Sequence, residues 1–290
     1  MSDLLGKSDA QKNSWRRVKN RAVTNFISVV GDRDMAEITR QDAQAFREWW
    51  ARRVAPTDGT KAMHPNSTNR DIGNMRTLFK AFWEYEGERD RTNPFDGLRL
   101  TNVVYKDVPP FDTAWIRIRL LDPDALSGLN DEARAIVLTM IETGCRPSEL
   151  ASLGPDHIVL DCDIPHLRIR PTADRKLKSK SSERDIPLVG AALREMRKHP
   201  DGFPRYHGKA NSLSATLVKY FRANGLFESP EHRIYSLRHS FEKRMLEAGL
   251  DYGLRCTLMG HHNNRPEYGD GGSLTFRRDE LLKICLSESP

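Results

Sequence analysis

Apolar residues in the first part of the chain recur at helical spacing. Trp15, Val18, Ala22 and Phe26 fall on one stripe, with Arg16, Arg17, Lys19 and Arg21 mostly on the other faces. A second helix is predicted after Thr39, whose hydroxyl can cap the first turn while Asp42 stands three residues on. Its apolar face carries Phe46, Trp50 and Val54, and Arg52 and Arg53 mark its end. A third helix is predicted from about Ser67 to Glu86, with Ile72, Met75, Phe79 and Phe82 in register. The loop before it holds Pro56, Gly59 and Lys61.

Residues 101–114 break this rhythm. They have no helical period and contain Pro109-Pro110, which cannot continue a helix and stiffens an extended connection. A domain boundary is placed there, between a helical domain over 1–104 and a second domain over 115–290. The second domain alternates helix and strand. Asn130 caps a helix with Asp131 and Glu132 in its first turn, Gly144 supplies a left-handed stop, and Ala133, Ile136, Val137, Met140 and Ile141 form its buried face. Pro147 suits the first position of a further short helix. Three β-type runs, 157–160, 166–170 and 184–188, are joined by polar turns and predict a small antiparallel sheet. More helices are predicted near 190–199, 212–224, 236–248, 251–259 and 275–286. The fold class is therefore multidomain and mainly α, with a helical bundle followed by an α+β domain.

The formal charge of +6 favours a polyanionic partner only weakly. Clustering at the first helix, where Arg16, Arg17, Lys19 and Arg21 are joined by Lys61 from the loop, strengthens the case for phosphate contacts, because each neutralised phosphate releases counterions. The start of the chain lacks the apolar core of a signal peptide, and no apolar run is long enough to cross a bilayer. Cys145, Cys162, Cys256 and Cys285 are scattered without a CxxC pair and are taken as reduced core thiols of a cytoplasmic protein. A zinc site from Cys256, His261 and His262 lacks a fourth ligand at proper spacing.

Four stretches carry chemistry. GCRPSEL presents Arg146 with Glu149 one turn further; RKLKSKSSERDIPL puts Lys178 and Lys180 beside a strand turn. YSLRHSF sets Tyr235 and Arg238 three apart at a helix start, and LMGHH places His261 seven residues before Tyr268. A phosphodiester attacked by an oxygen gathers charge on its non-bridging oxygens, and two planar, permanently charged guanidiniums suit that state. A lysine on a turn can protonate the leaving oxygen, and His261 can donate a hydrogen bond or exchange a proton. A tyrosine nucleophile stores the bond energy as a phosphotyrosyl ester, so rejoining needs no ATP, and side-chain cations replace any metal.

The order of these boxes resembles the tyrosine recombinase, or phage integrase, family. The match spans roughly 130–270 for the catalytic domain, and the preceding helices resemble that family's core-binding (SAM-like) domain. The resemblance implies that Arg146 and Arg238 bind the scissile phosphate, that Lys178 is the general acid and Tyr268 the nucleophile, and that His261 assists at the phosphate. It also implies double-stranded DNA as partner, a tetramer on DNA joined by exchange of the C-terminal helix, and a bacterial or phage-encoded enzyme without cofactor. Lys180 stays open as an alternative to Lys178. Three departures stand out: Tyr235 replaces the histidine three before the second arginine, the gap from His261 to Tyr268 is short, and the chain begins too close to its helical domain to hold the additional arm-binding segment often found in the family. A phenol near its reference pKa of about 10 is a poor base at neutral pH, which makes His261 a candidate for that role. The replacement of histidine and the short gap leave a non-cutting DNA-binding regulator as the alternative.

Overall fold

The computed structural model describes residues 7, 9–101, 107–172, 177, 179–264 and 271–287. The chain divides into two compact units, one formed by Asp9–Lys106 and a larger one that includes Asp107–Pro290.

The first unit holds α1 (Asp9–Val30), α2 (Arg40–Val54) and α3 (Pro65–Tyr85). Local chemistry sets the start of α2: the Thr39 hydroxyl accepts from Asp42 N at 3.2 Å, and the Asp42 carboxylate accepts from Thr39 N at 2.9 Å. The core gathers Ala22, Phe26, Phe46, Trp50, Ile72, Met75, Phe79 and Trp83 around Phe95. One expected core position moves. Phe82 is 38% exposed, whereas Trp83 is 7% exposed. Eleven residues take an α-helix through about three full turns, so Trp83 returns to the bearing of Ile72, while ten leave Phe82 about 80° short.

In the larger unit a short turn, α4 (Thr113–Trp115), precedes α5 (Asp131–Thr143) and α6 (Pro147–Leu150). The sheet has β1 (Ile158–Val159), β2 (His166–Ile169) and β3 (Arg184–Pro187), and α7 (Gly190–Lys198), α8 (Ala210–Ala223), α9 (Ser236–Glu247), α10 (Tyr252–Met259) and α11 (Leu274–Leu282) follow. The strands lie antiparallel in the order β1-β2-β3, with Ile158 opposite Leu167 and Leu167 opposite Ile186. They are shorter than the apolar runs suggest, because His157 closes a 3₁₀ turn and Leu160, Arg170 and Leu188 lie past the ladders.

Helix α5 is the central rod. Asn130 Oδ1 accepts from Ala133 N at 3.1 Å, and every residue from Ala135 to Thr143 is buried between α7 and α9. Gly144 ends it at φ 60°, ψ 12°. A Cβ there would stand 2.3 Å from Phe241 Cδ1. Gly144→Ala is therefore expected to destabilise this unit by about 2–5 kcal/mol, the sum of left-handed strain and overpacking, as measured by urea unfolding. Helix α11 packs on β3 of its own chain through buried Leu281, and Arg277 Nη1 donates to Asp185 O at 3.1 Å. Beyond it, buried Glu142 accepts from Ser287 N at 3.1 Å and Ser287 Oγ at 2.9 Å. Cys145 and Cys256 are buried thiols, Cys285 is half-buried, and Cys162 is exposed rather than a core residue. No helix among the described residues is long and apolar enough to cross a membrane.

Candidate active site

The left-handed stop at Gly144 releases the chain into an extended Arg146, and Pro147 opens α6 directly after it. Arg146 N donates to Glu149 Oε2 at 2.9 Å, and Arg146 Nη1 donates to Glu149 Oε1 at 2.6 Å. The same carboxylate receives Arg184 from the start of β3, with Nη2 to Oε2 at 2.8 Å and Nη1 to Oε1 at 3.3 Å. Side chains of Glu149 and Arg184 are each 1% exposed, and that of Arg146 is 15% exposed. One buried carboxylate thus orients a sealed guanidinium and a more open one.

Arg238, in the first turn of α9, is 1% exposed. Its Nη1 donates to Gly144 O at 2.6 Å and its Nη2 donates to Met259 O. The same Nη2 lies 3.1 Å from His261 Nε2. A guanidinium N–H can only donate, so Nε2 accepts and a neutral imidazole carries its proton on Nδ1. Arg238 therefore ties the end of α5 to the end of α10, where Gly260 at φ 60° stops the helix and presents His261. These contacts bring together Arg146, Arg238 and His261 from three separate stretches of sequence.

Charge in the cluster is unbalanced toward positive. Burial first, and then Arg146, push Arg238 below the usual guanidinium range. Burial, followed by Arg238, likewise holds His261 below the ordinary histidine range. Glu149 behaves oppositely: burial alone raises a carboxyl, but Arg184 and Arg146 outweigh it and hold Glu149 at about 2. A surplus of buried positive charge around a single shared buried carboxylate is a place prepared for an anion.

The other anticipated residues fall in different settings. Tyr235 stands at the N-cap of α9, exposed, with its ring 5.2 Å from that of His239. Lys178 and Tyr268 lie outside the described residues. Lys180 is exposed in the 3₁₀ turn Lys180–Ser182. In the helical unit Arg16, Arg17 and Lys61 are exposed. Lys19 is instead buried, its Nζ 5.6 Å from the Trp15 ring, and Arg21 forms an ion pair with buried Asp71. Sequence reasoning passed over Arg184. Its signal lay in strand parity: residue 184 shares a face with Ile186, which points inward, and a buried arginine requires an acid partner.

No family model matches the chain. Among named relatives, tyrosine recombinase XerD of Lacticaseibacillus casei is 30% identical over 149 residues, which cover 48% of this chain and 50% of that protein. Tyrosine recombinase XerC of Staphylococcus saprophyticus is 25% identical over 274 residues, covering 86% and 84%. Tyrosine recombinase XerA of Pyrococcus furiosus is 26% identical over 206 residues, 66% of each. The chain thus spans about half the length of the first and about two thirds of the last. Among solved structures, a lambda integrase tetramer bound to a Holliday junction superposes with a TM-score of 0.60 at 16% identity, covering 87% of this chain and 72% of that one. The Tn1549 transposon integrase in complex with transposon right end DNA gives 0.56 at 16% identity, covering 92% and 88%. At such identities the likeness is one of fold.

Proposed function

We propose that this chain is a tyrosine recombinase, a site-specific DNA recombinase that cleaves and rejoins DNA through a 3′-phosphotyrosyl intermediate, a reading supported by its similarity to the Xer recombinases. The observation that carries this reading is the joining of Arg146, Arg238 and His261 in one positively charged cluster through Gly144, Glu149 and Met259. Arg146 and Arg238 bind the non-bridging oxygens of the scissile phosphate. The Tyr268 oxygen attacks phosphorus as Arg238 Nη2 turns from His261 to the phosphate; the tyrosine proton passes to the Nε2 lone pair so released, and the P–O5′ bond breaks as Lys178 protonates the departing 5′-oxygen. The reverse sequence, with a new 5′-hydroxyl, seals the strand and restores the tyrosine, so bond energy is conserved without ATP. Tyr235, close to Arg238 on α9, hydrogen-bonds at the phosphate rather than acting as a base.

Domains over 1–104 and 115–290 grip the duplex in this reading, and the exposed Arg16, Arg17 and Lys61 contact its backbone, whereas Lys19 and Arg21 are engaged within the helical unit by Trp15 and Asp71. The enzyme acts in the cytoplasm as a tetramer on DNA, joined by exchange of the C-terminal helix. Such exchange entails release of the contacts that Leu281, Arg277 and the Glu142-bound tail make within their own chain.

A substrate nicked near the cleavage point loses its short fragment after attack, so the adduct cannot reseal. Wild type is expected to accumulate a covalent protein–DNA adduct that survives denaturing electrophoresis, and Tyr268→Phe to form none. An adduct of undiminished yield in Tyr268→Phe excludes that nucleophile. Salt-sensitive DNA binding by wild type with no adduct on any nicked substrate identifies a non-cutting regulator instead.

A further inference from the structure

Arg184 stands out among the buried cations. All five of its guanidinium hydrogens have acceptors: Nε donates to Leu258 O at 2.8 Å, Nη1 to Ser182 O at 2.7 Å and to Glu149 Oε1 at 3.3 Å, and Nη2 to Glu149 Oε2 at 2.8 Å and Cys145 Sγ at 3.8 Å. Those acceptors belong to three stretches that each carry a reacting group. Glu149 holds Arg146, Ser182 closes the 3₁₀ turn that begins at Lys180, two positions after Lys178 in the sequence, and Leu258 lies in the last turn of α10, three residues before His261. Gly260 completes the fit: a Cβ there would stand 2.8 Å from Arg184 Nη1 and 3.1 Å from Ser182 Cα. The glycine of the LMGH box thus provides room for this guanidinium as well as the left-handed stop.

We propose that Arg184 is a positioning residue for strand transfer, locking the arginine box, the lysine turn and the histidine box into one register so that they meet the phosphate preorganised. The proposal rests on the recombinase reading above. Its physical basis is geometric. A sealed, fully hydrogen-bonded planar fork transmits the position of one backbone segment to the next, whereas lysine, with a compact ammonium head, cannot span Glu149, Ser182 O and Leu258 O together. A positional error of about 1 Å in such a constellation costs on the order of 10² in rate.

Single-turnover cleavage of the nicked substrate by the full chain, at saturating protein, separates this role from a merely structural one. The rate constant reports the geometry of competent molecules, the amplitude reports their fraction, and DNA affinity is measured in parallel. Arg184→Lys is expected to lower the rate constant by about 10²-fold, with amplitude and affinity within about twofold of wild type. Glu149→Asp keeps the charge but withdraws the carboxylate from its two guanidiniums, and it is expected to show the same split if Arg184→Lys fails to fold. An unchanged rate constant in the folded variant, with or without a reduced amplitude, overturns the positioning role. Wild type that forms no adduct at all overturns both this inference and the recombinase reading; wild type that cleaves while the variants cleave equally fast overturns this one alone.

Discussion

Arg238→Ala is expected to slow covalent adduct formation by about 10²–10³-fold, the cost of removing one preorganised charged donor from a developing oxyanion. The side chain has a second duty, since Gly144 O and Met259 O both accept from it in a buried setting. Leaving those carbonyls unpaired is expected to cost about 1–3 kcal/mol of stability, offset in part because a desolvated guanidinium beside Arg146 is removed. Adduct assays well below the unfolding temperature keep the two effects apart. Arg238→Lys retains charge without the planar fork, and a similar loss of rate with a smaller loss of stability is expected there. Adduct formation by Arg238→Ala within tenfold of wild type sinks the assignment of Arg238 to the phosphate.

The largest effect on stability is expected at Glu149. Glu149→Gln leaves Arg184, 1% exposed, without its counter-charge and is expected to lose about 3–5 kcal/mol at neutral pH. Acid exposes the same dependence in wild type. The carboxyl titrates near 4.5 when free of these partners and at about 2 in the fold. Because the folded value is the lower one, its contribution is fully present above pH 4.5 and is lost as pH falls toward 2; the shift corresponds to about 3 kcal/mol. Urea unfolding over a pH series should therefore show wild type and Glu149→Gln converging below pH 4.5. A difference that stays constant down to pH 2 contradicts the pairing of Glu149 with Arg184 and Arg146.

Features decided within one helical turn were legible in the sequence. The Thr39–Asp42 cap, the Asn130 cap and the Gly144 stop follow from side-chain oxygens that reach amides two or three residues on, or from the absence of a Cβ. Arg146, Arg238 and His261 were legible as chemistry because each sits in a box with its own local structure. The position of Trp83 was harder, since a three- or four-residue step both read as helical and accumulated angle alone distinguishes them.

By itself, then, the sequence determined where helices start and stop, which faces are apolar, and which residue types a phosphate-handling site has at its disposal. The tertiary structure alone decided which charge pairs with which. Glu149 meets Arg184 from 35 positions away, and Arg184 meets Leu258 across 74. Neither partnership leaves a local periodic trace, because it comes into being when distant segments pack and expel the water that otherwise solvates each charge separately. For the same reason the exposed-looking Lys19 and Arg21 of the first helix turn out to be held by Trp15 and Asp71.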